Sequence, residues 1–573
     1  MTQTPEPPVT PEPTEVPAEA PAESPTESPT VTTSEAPAAA PTEAPEAPAT
    51  PVAAPAAPAE LDPISAAVAP GYTFEGTALE LGGLMLDATH LSDVHIRIPL
   101  GMLNRHGLVA GATGTGKTKT LQLLAEQLSA NGVPVFAADI KGDLSGLSVP
   151  GEGGEKITAR AASVGQQWAA TGFPTEFFAL GGQGIGVPLR VTMTSFGPML
   201  LSKVLGLNET QESSLGLVFH YADQAGLPLL DLADLRAVVQ FLTSDEGKAD
   251  LKGLGGLSSA TAGVILRELI SFQAQGADAF FGEPEFESSE FLKVTDGQGV
   301  ISLVELPNLQ DRPALFSTFL MWLLADLFHD LPEVGDIDRP KLVFFFDEAH
   351  LLFNDASDAF LDQIAQTVRL IRSKGVGVFF VTQSPTDVPD DVLAQLGSRI
   401  QHQLRAHTPN DAKALKQTVN TYPTSAYDDL GEVITSLGIG EAVVTVMNER
   451  GAPTPVAWTR LRAPESLMGA ADATAMQAAV EASPLHAKYS EVVDRESARE
   501  KLAARIEEGA RKAAEDARIK EMAREQKATR VTKQAKKDDD GIVMDVVKSS
   551  AFKDFMRTAA REVARGMFKS GRR

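Results

Sequence analysis

No cysteine occurs anywhere in the 573 residues. That absence excludes disulfides and thiolate metal sites, and with them any stability that depends on an oxidising compartment. The chain also has no uninterrupted apolar run of about 18 residues, the length a membrane-crossing helix needs. No basic start leads into an apolar segment, the pattern of a secretory signal. A cytoplasmic protein is the expectation. Residues 1–60 lack Lys, Arg and Asp altogether and hold almost no large apolar side chain; they are Pro, Ala, Glu, Thr and Ser. Such a stretch buries too little surface to offset the entropy of ordering it. Residues 1–70 are therefore read as a disordered tail, either a tether or a solubilising extension.

Positive charge is scarce as well, for the net charge is −26. The ten Glu of residues 1–60 account for −10, and residues 495–573 hold 22 Lys and Arg against 14 Asp and Glu, which leaves −24 on residues 61–494. An acidic body is a poor general electrostatic partner for phosphate backbones. Broad surface binding of DNA is disfavoured, while a local basic channel formed by assembly escapes the argument. Apolar residues make up 43% of the chain, enough for a large core and more than one domain.

What is present is organised around residues 103–124, LNRHGLVAGATGTGKTKTLQLL. A short apolar strand runs into Gly111, Ala112, Thr113, Gly114, Thr115, Gly116, Lys117 and Thr118, and a helical run opens with Lys119. This is G-x-x-x-x-G-K-[ST] in the strand–loop–helix setting the pattern requires. The glycines let the backbone wrap round a phosphate, and the freed N–H groups and the helix N-terminus face the anion. Lys117 supplies a point charge for the β- and γ-phosphates, and the Thr118 hydroxyl is placed to ligand Mg²⁺. A glycine-rich turn with an incidental lysine would not need strand and helix on either side. The stretch predicts binding of a nucleoside triphosphate.

Apolar runs at 133–139, 300–305, 341–347, 376–382 and 400–406 alternate with helical runs such as 356–371, the pattern of a parallel sheet covered on both faces. Segments 74–86 and 95–100 read as lead-in strands, and 441–447 with 455–461 as a hairpin. Between 195 and 296 the period turns helical, predicting an insertion. The expected divisions are 71–194 for the first part of the nucleotide domain, 195–296 for the insertion and 297–482 for the second part. Residues 483–573 form a helical tail, with a long charged helix over 483–537 whose only apolar stripe is Leu502, Ile506 and Ala510. Beyond it Phe552, Phe555, Met556, Ala559, Val563 and Met567 share one face, flanked by Arg and Lys. That face suits docking on protein, with an anionic membrane surface the weaker alternative.

The run Leu342, Val343, Phe344, Phe345 and Phe346 ends in Asp347 and Glu348. A strand buried on both faces delivers Asp347 to its tip, where it can hold Mg²⁺ beside Thr118. Glu348 is placed to orient and polarise the attacking water, since hydrolysis needs a base there. Gln383 ends the next strand and can hydrogen-bond that water or the γ-phosphate. Arg399 opens the strand after that, a position suggesting an arginine that reaches a γ-phosphate across a subunit boundary. Arg369, Arg372 and Arg405 compete for that role, and a surface salt bridge would explain any of them. Asp139 and Asp143, at the end of the 133–139 strand, are either ligands for Mg²⁺ and water or caps of a local turn.

These residues together resemble the HerA/FtsK superfamily of P-loop ATPases, with a RecA-like core, and most nearly a bacterial branch, the YjgR-like HerA-type ATPases. The stretches carrying the resemblance are NRHGLVAGATGTGKT (104–118), DIKGDLSGL (139–147), FGPMLLSKVLGLNETQ (196–211), FFFDEAHLLF (344–353), SKGVGVFFVTQSPTDVP (373–389) and LGSRIQHQLRAHTPND (396–411). The likeness spans roughly 70–490. It implies ATP and Mg²⁺ as cofactors, a homo-oligomer that is often hexameric, and a motor acting on DNA. It also implies catalytic roles for Lys117, Glu348, Gln383 and Arg399, and metal ligation by Thr118 and Asp347. The lead-in is too short for the N-terminal β-barrel of archaeal HerA proteins, a departure from the family pattern that bears on ring assembly and partner binding. An ATP-switched scaffold for a protein or membrane partner is the rival reading: the acidic body favours it, and the motif set favours the motor.

Overall fold

The unbroken apolar runs become strands whose residues are buried throughout: Gly107–Ala110, Val135–Asp139, Leu342–Phe346 and Val376–Thr382. A strand covered on both faces has no polar side to show. The computed structural model describes residues 62–535 apart from 252, 307–312, 336 and 354–357. The acidic tail and the amphipathic segment 552–567 lie outside the described residues.

In chain order the strands are β1 (Ala78–Met85), β2 (Leu91–Pro99), β3 (Gly107–Ala110), β4 (Val135–Asp139), β5 (Thr175–Leu180) and β6 (Val187–Leu189). There follow the two-residue β7 (Val294–Thr295) and β8 (Gln298–Gly299), then β9 (Ile301–Glu305), β10 (Leu342–Phe346), β11 (Val376–Thr382) and β12 (Ser398–Gln401). A final pair, β13 (Glu441–Thr445) and β14 (Ala457–Leu461), is the hairpin read from the sequence. Twelve strands form one sheet in the order β2-β1-β14-β13-β12-β3-β11-β10-β4-β9-β5-β6. From β12 to β6 every neighbouring pair is parallel. From β12 to β2 every pair is antiparallel. The fold is thus the expected α/β, RecA-like P-loop architecture with a mainly parallel sheet. The lead-in strands complete its antiparallel flank.

Parallel neighbours need crossovers, and helices such as Lys117–Ala130 and Asp358–Ile371 supply them. Aromatic rings pack where β4 meets β10: the Phe136 ring lies 4.9 Å from Phe344 and 5.1 Å from Phe291. Burying each such ring contributes about 1.5–3 kcal/mol, so these strands, which carry Asp139 and Asp347 at their ends, are held firmly.

Between β6 and β7 the chain is helical, with Met193–Val204, Glu209–Gln224, Leu232–Thr243, Asp245–Asp250 and Ser259–Ala274. Asn208 and Asp231 start two of these with reciprocal capping boxes. The charged C-terminal helix differs from the reading. It starts at Ala498, because Pro484 opens a separate short helix, Pro484–Tyr489. Leu502 is buried but Ile506 is 49% exposed, so the thin stripe packs only at its beginning. Arg505 fixes that first part to the helical segment through Asp250 at 2.8 Å and the Tyr221 hydroxyl at 3.2 Å.

Candidate functional site

β3 releases the chain into a glycine loop whose shape only glycine permits at two points. Gly111 has φ +154, and a Cβ there would lie 2.5 Å from the Cβ of His402. Gly116, with φ +117, is the cap of helix Lys117–Ala130. The first N–H groups of that helix, from Lys117, Thr118 and Lys119, have no acceptor within it and so face the loop's concavity. Lys117 is folded back onto the loop, its Nζ donating to the carbonyls of Gly111 (2.8 Å) and Ala112 (3.3 Å). Burial lowers its pKa, against the opposing pull of Glu348. Thr113 and Gly114 are exposed at the loop's crown.

Parallel strands put their carboxyl ends on one edge, and the ends of β4, β10 and β11 flank the loop there. Asp347 is 1% exposed. Its Oδ1 accepts the Glu348 N–H at 2.9 Å, while Oδ2 is buried without a hydrogen-bond partner. Burial drives its pKa up to about 6, with Lys141 pulling the other way. A buried carboxylate oxygen with no hydrogen-bond donor fits Mg²⁺, which prefers few protein oxygens plus phosphates. Among the described residues no group of three or more His, Asp or Glu could hold a metal by itself.

Glu348 is a backbone exception, a non-glycine residue with φ +49. Such strain persists only where surroundings enforce it. Here Ala349 N–H donates to Val381 O and Leu351 N–H to Glu348 O, both at 2.9 Å. Its Oε1 is taken by Lys141 Nζ, and its Oε2 faces His350 Nδ1 at 3.3 Å. Burial alone would raise its pKa, but the Lys141 hydrogen bond and charge outweigh it and hold the carboxyl below its usual range. Gln383 follows β11 with its side chain exposed.

Asp139 takes the second of its two readings. Its carboxylate accepts the N–H groups of Lys141 (3.2 Å), Gly142 (2.7 Å) and Leu144 (2.8 Å), so it is a turn cap. That cap projects Lys141 across to Glu348. Asp143 keeps a buried Oδ1 without a hydrogen-bond partner.

Arg399 does not join this group within its own chain. It pairs with Leu108, three residues before the loop, and its guanidinium donates to Thr421 O at 3.0 Å and lies over the Tyr422 ring. It lines a cavity of about 900 Å³ at the amino edge of the sheet together with Arg105, Arg369 and Arg372. Of the competing arginines Arg405 approaches its own phosphate loop, donating to Thr113 O at 3.3 Å. The reading of 400–406 as strand also shifts: β12 ends at Gln401, and the next residues peel off to brace the loop. Ala112 N–H donates to Gln403 O at 2.8 Å, and buried His402 meets the Thr120 hydroxyl at 2.8 Å. The reading missed His402, Lys141 and the loop at Gly440, whose N–H donates to Thr115 O at 3.1 Å. The polar run Gln401, His402, Gln403 at a strand's carboxyl end was the signal for the first.

The family described as Helicase HerA-like C-terminal matches residues 85–573. The DNA double-strand break repair helicase HerA of Sulfolobus acidocaldarius is 21% identical over 64% of this chain and 68% of its own length. The protein of the same description from Saccharolobus solfataricus is 21% identical over 61% of this chain and 64% of its own length. The chain thus spans about two thirds of the curated relatives it matches. Among solved structures, the plasmid coupling protein TrwB in complex with ADP and Mg²⁺ is 16% identical, covering 69% of this chain and 98% of that one, with a TM-score of 0.45. The chain belongs to the HerA-like C-terminal family of P-loop ATPases.

Proposed function

We propose that this chain is a Mg²⁺-dependent ATPase that works as a DNA-translocating or DNA-unwinding motor. The observation carrying the hydrolytic half is the meeting, at one edge of the sheet, of the glycine loop with the carboxylates of Asp347 and Glu348. In this reading the N–H groups of Thr113, Gly114 and Gly116 to Lys119, with the Lys117 ammonium, hold the β- and γ-phosphates of ATP. Thr118 and Asp347 would hold Mg²⁺, which when bound would neutralise charge developing on the phosphate oxygens. Glu348 takes a proton from water as the water oxygen attacks the terminal phosphorus; the bond to the leaving ADP oxygen breaks, giving ADP and phosphate. Gln383, exposed just after β11, orients that water.

The arginine-lined cavity at the opposite edge supports a homo-oligomer, hexameric by family resemblance, in which Arg399 of one copy completes the site of the next. DNA would then pass through a channel built by assembly, which reconciles the motor with the strongly acidic body. The described residues include no helix long and apolar enough to cross a membrane. The test is the ATPase rate with and without single- and double-stranded DNA at low salt. Stimulation by DNA is expected. A rate indifferent to both forms would transfer the energy to the second reading, an ATP-switched scaffold or remodelling enzyme for a protein partner, which the acidic charge favours.

A further inference from the structure

We infer that Lys141 is a positioning residue that clamps Glu348 while the site lacks a triphosphate and moves to the terminal phosphate when one enters. The inference rests on the ATPase reading and deepens it. It starts from a juxtaposition across 207 positions of sequence: Lys141, in the turn capped by Asp139, reaches Oε1 of Glu348, the carboxylate assigned to the water. The same ammonium lies 3.9 Å from Oδ2 of Asp347. A carboxylate paired in this way is a weaker base towards water: Oε1 already accepts a charged donor, and Lys141 holds the carboxyl below its usual range although Oε2 makes no hydrogen bond.

Three further features make the clamp releasable. Lys141 is 38% exposed while Glu348 is 8% exposed, so the lysine end of the pair has room to move and the glutamate end does not. The lysine stem is flexible and its head is a point charge without fixed geometry, suited to exchanging one anion for another. The left-handed backbone at Glu348 and its neighbouring hydrogen bonds fix the carboxylate's root, so only the partner can change. A terminal phosphate brings more negative charge than one carboxylate, and it would arrive beside Lys117, whose electrostatic environment already includes Lys141. ADP lacks that phosphate and would leave the clamp closed. The arrangement therefore ties release of the base to the presence of the bond to be cut.

Equilibrium binding separates this from a merely structural ion pair, with ADP and a non-hydrolysable imido analogue of ATP as probes, both with Mg²⁺. Lys141→Met should keep ADP affinity within about twofold, and its preference for triphosphate over diphosphate should fall by roughly ten- to a hundredfold. Lys141→Arg should keep part of that preference. Glu348→Gln should tighten triphosphate binding when Lys141 is present and do so less in the Lys141→Met background. An unchanged preference in Lys141→Met, with ADP still bound, overturns the clamp and leaves the ATPase reading standing. Additive effects of the two substitutions overturn it as well. If Lys141→Met loses ADP binding or melts far below the wild type, Lys141→Arg decides: a preference equal to wild type with additive Glu348→Gln defeats the proposal, and partial preference with coupling upholds it.

Discussion

The two edges of the same parallel sheet carry opposite chemistry. At the carboxyl edge are a glycine loop, two buried acids and two lysines, packed tightly enough that Asp347 is 1% exposed. At the amino edge is an open cavity of about 900 Å³ lined by Arg105, Arg369, Arg372 and Arg399. One edge carries the glycine loop and its acids, and the other carries four arginines around an open cavity. β12 links the two, with Arg399 near its start and the loop-bracing residues beyond its end. A single chain cannot fold one edge onto the other, because a sheet this well packed does not bend. A second copy can bring them together.

The largest effect belongs to the amino edge. If Arg399 completes a neighbour's site, Arg399→Ala should lower hydrolysis by roughly 10³-fold. Mixing Arg399→Ala chains with Glu348→Gln chains should restore part of it, since some interfaces would keep both groups. A monomer by ultracentrifugation with ATP and Mg²⁺ present, still hydrolysing fast, would reduce the amino edge to an ordinary surface. At the carboxyl edge, Glu348→Gln should cost about 10²-fold in hydrolysis with ATP still bound, whereas Lys117→Ala should weaken binding itself. Wild-type turnover in Glu348→Gln would end its assignment as base.

The contrast also explains which parts of the site were legible in the sequence. The glycine loop and the acids after β10 are contiguous, so local pattern was enough to find them. Arg399 was read as opening the strand after Gln383 and reaching a phosphate across a subunit boundary, and the strand directions set the two residues at opposite edges of the sheet. Gln383 follows the end of β11 and Arg399 lies near the start of β12, so residues 384–397 carry the chain from one edge back to the other. The partnership of Lys141 with Glu348 crosses 207 positions and leaves no periodic trace. Strand identity was clear where both faces are buried, and strand ends were not: 402–406 is polar and apolar like a strand but spends its hydrogen bonds on the phosphate loop.

A third and smaller effect tests how closely that loop is braced. Gly111→Ala would set a Cβ 2.5 Å from the His402 Cβ at a φ of +154. The strain should lower ATP affinity by roughly tenfold without touching the acids. Titration calorimetry with ADP and with a non-hydrolysable triphosphate should show both weakened alike. Unaltered affinity would mean the loop is free of His402.

The smallest effect separates acids that handle phosphate from one that only supports the loop. Glu126 lies in the helix that follows the phosphate loop, 2% exposed, and accepts the N–H groups of Glu465 and Ser466 at 2.9 Å each. Burial lifts its pKa from the ordinary 4.5 to about 7, the Ser466 and Glu465 hydrogen bonds lowering it only in part. The folded chain then holds a proton at pH values where the unfolded chain has released it. The sign follows: this contribution is fully present below about pH 4.5 and is lost as pH rises through about 7. Glu126→Gln keeps the shape without the titration, so its melting temperature should fall less between those pH values than that of the wild type. The difference should be on the order of 2–3 kcal/mol across the window, with hydrolysis at neutral pH near the wild-type rate. A slope identical to wild type would show that Glu126 is ionised in the folded chain throughout. Lost hydrolysis with the melting temperature unchanged would move Glu126 from support into the chemistry of the carboxyl edge.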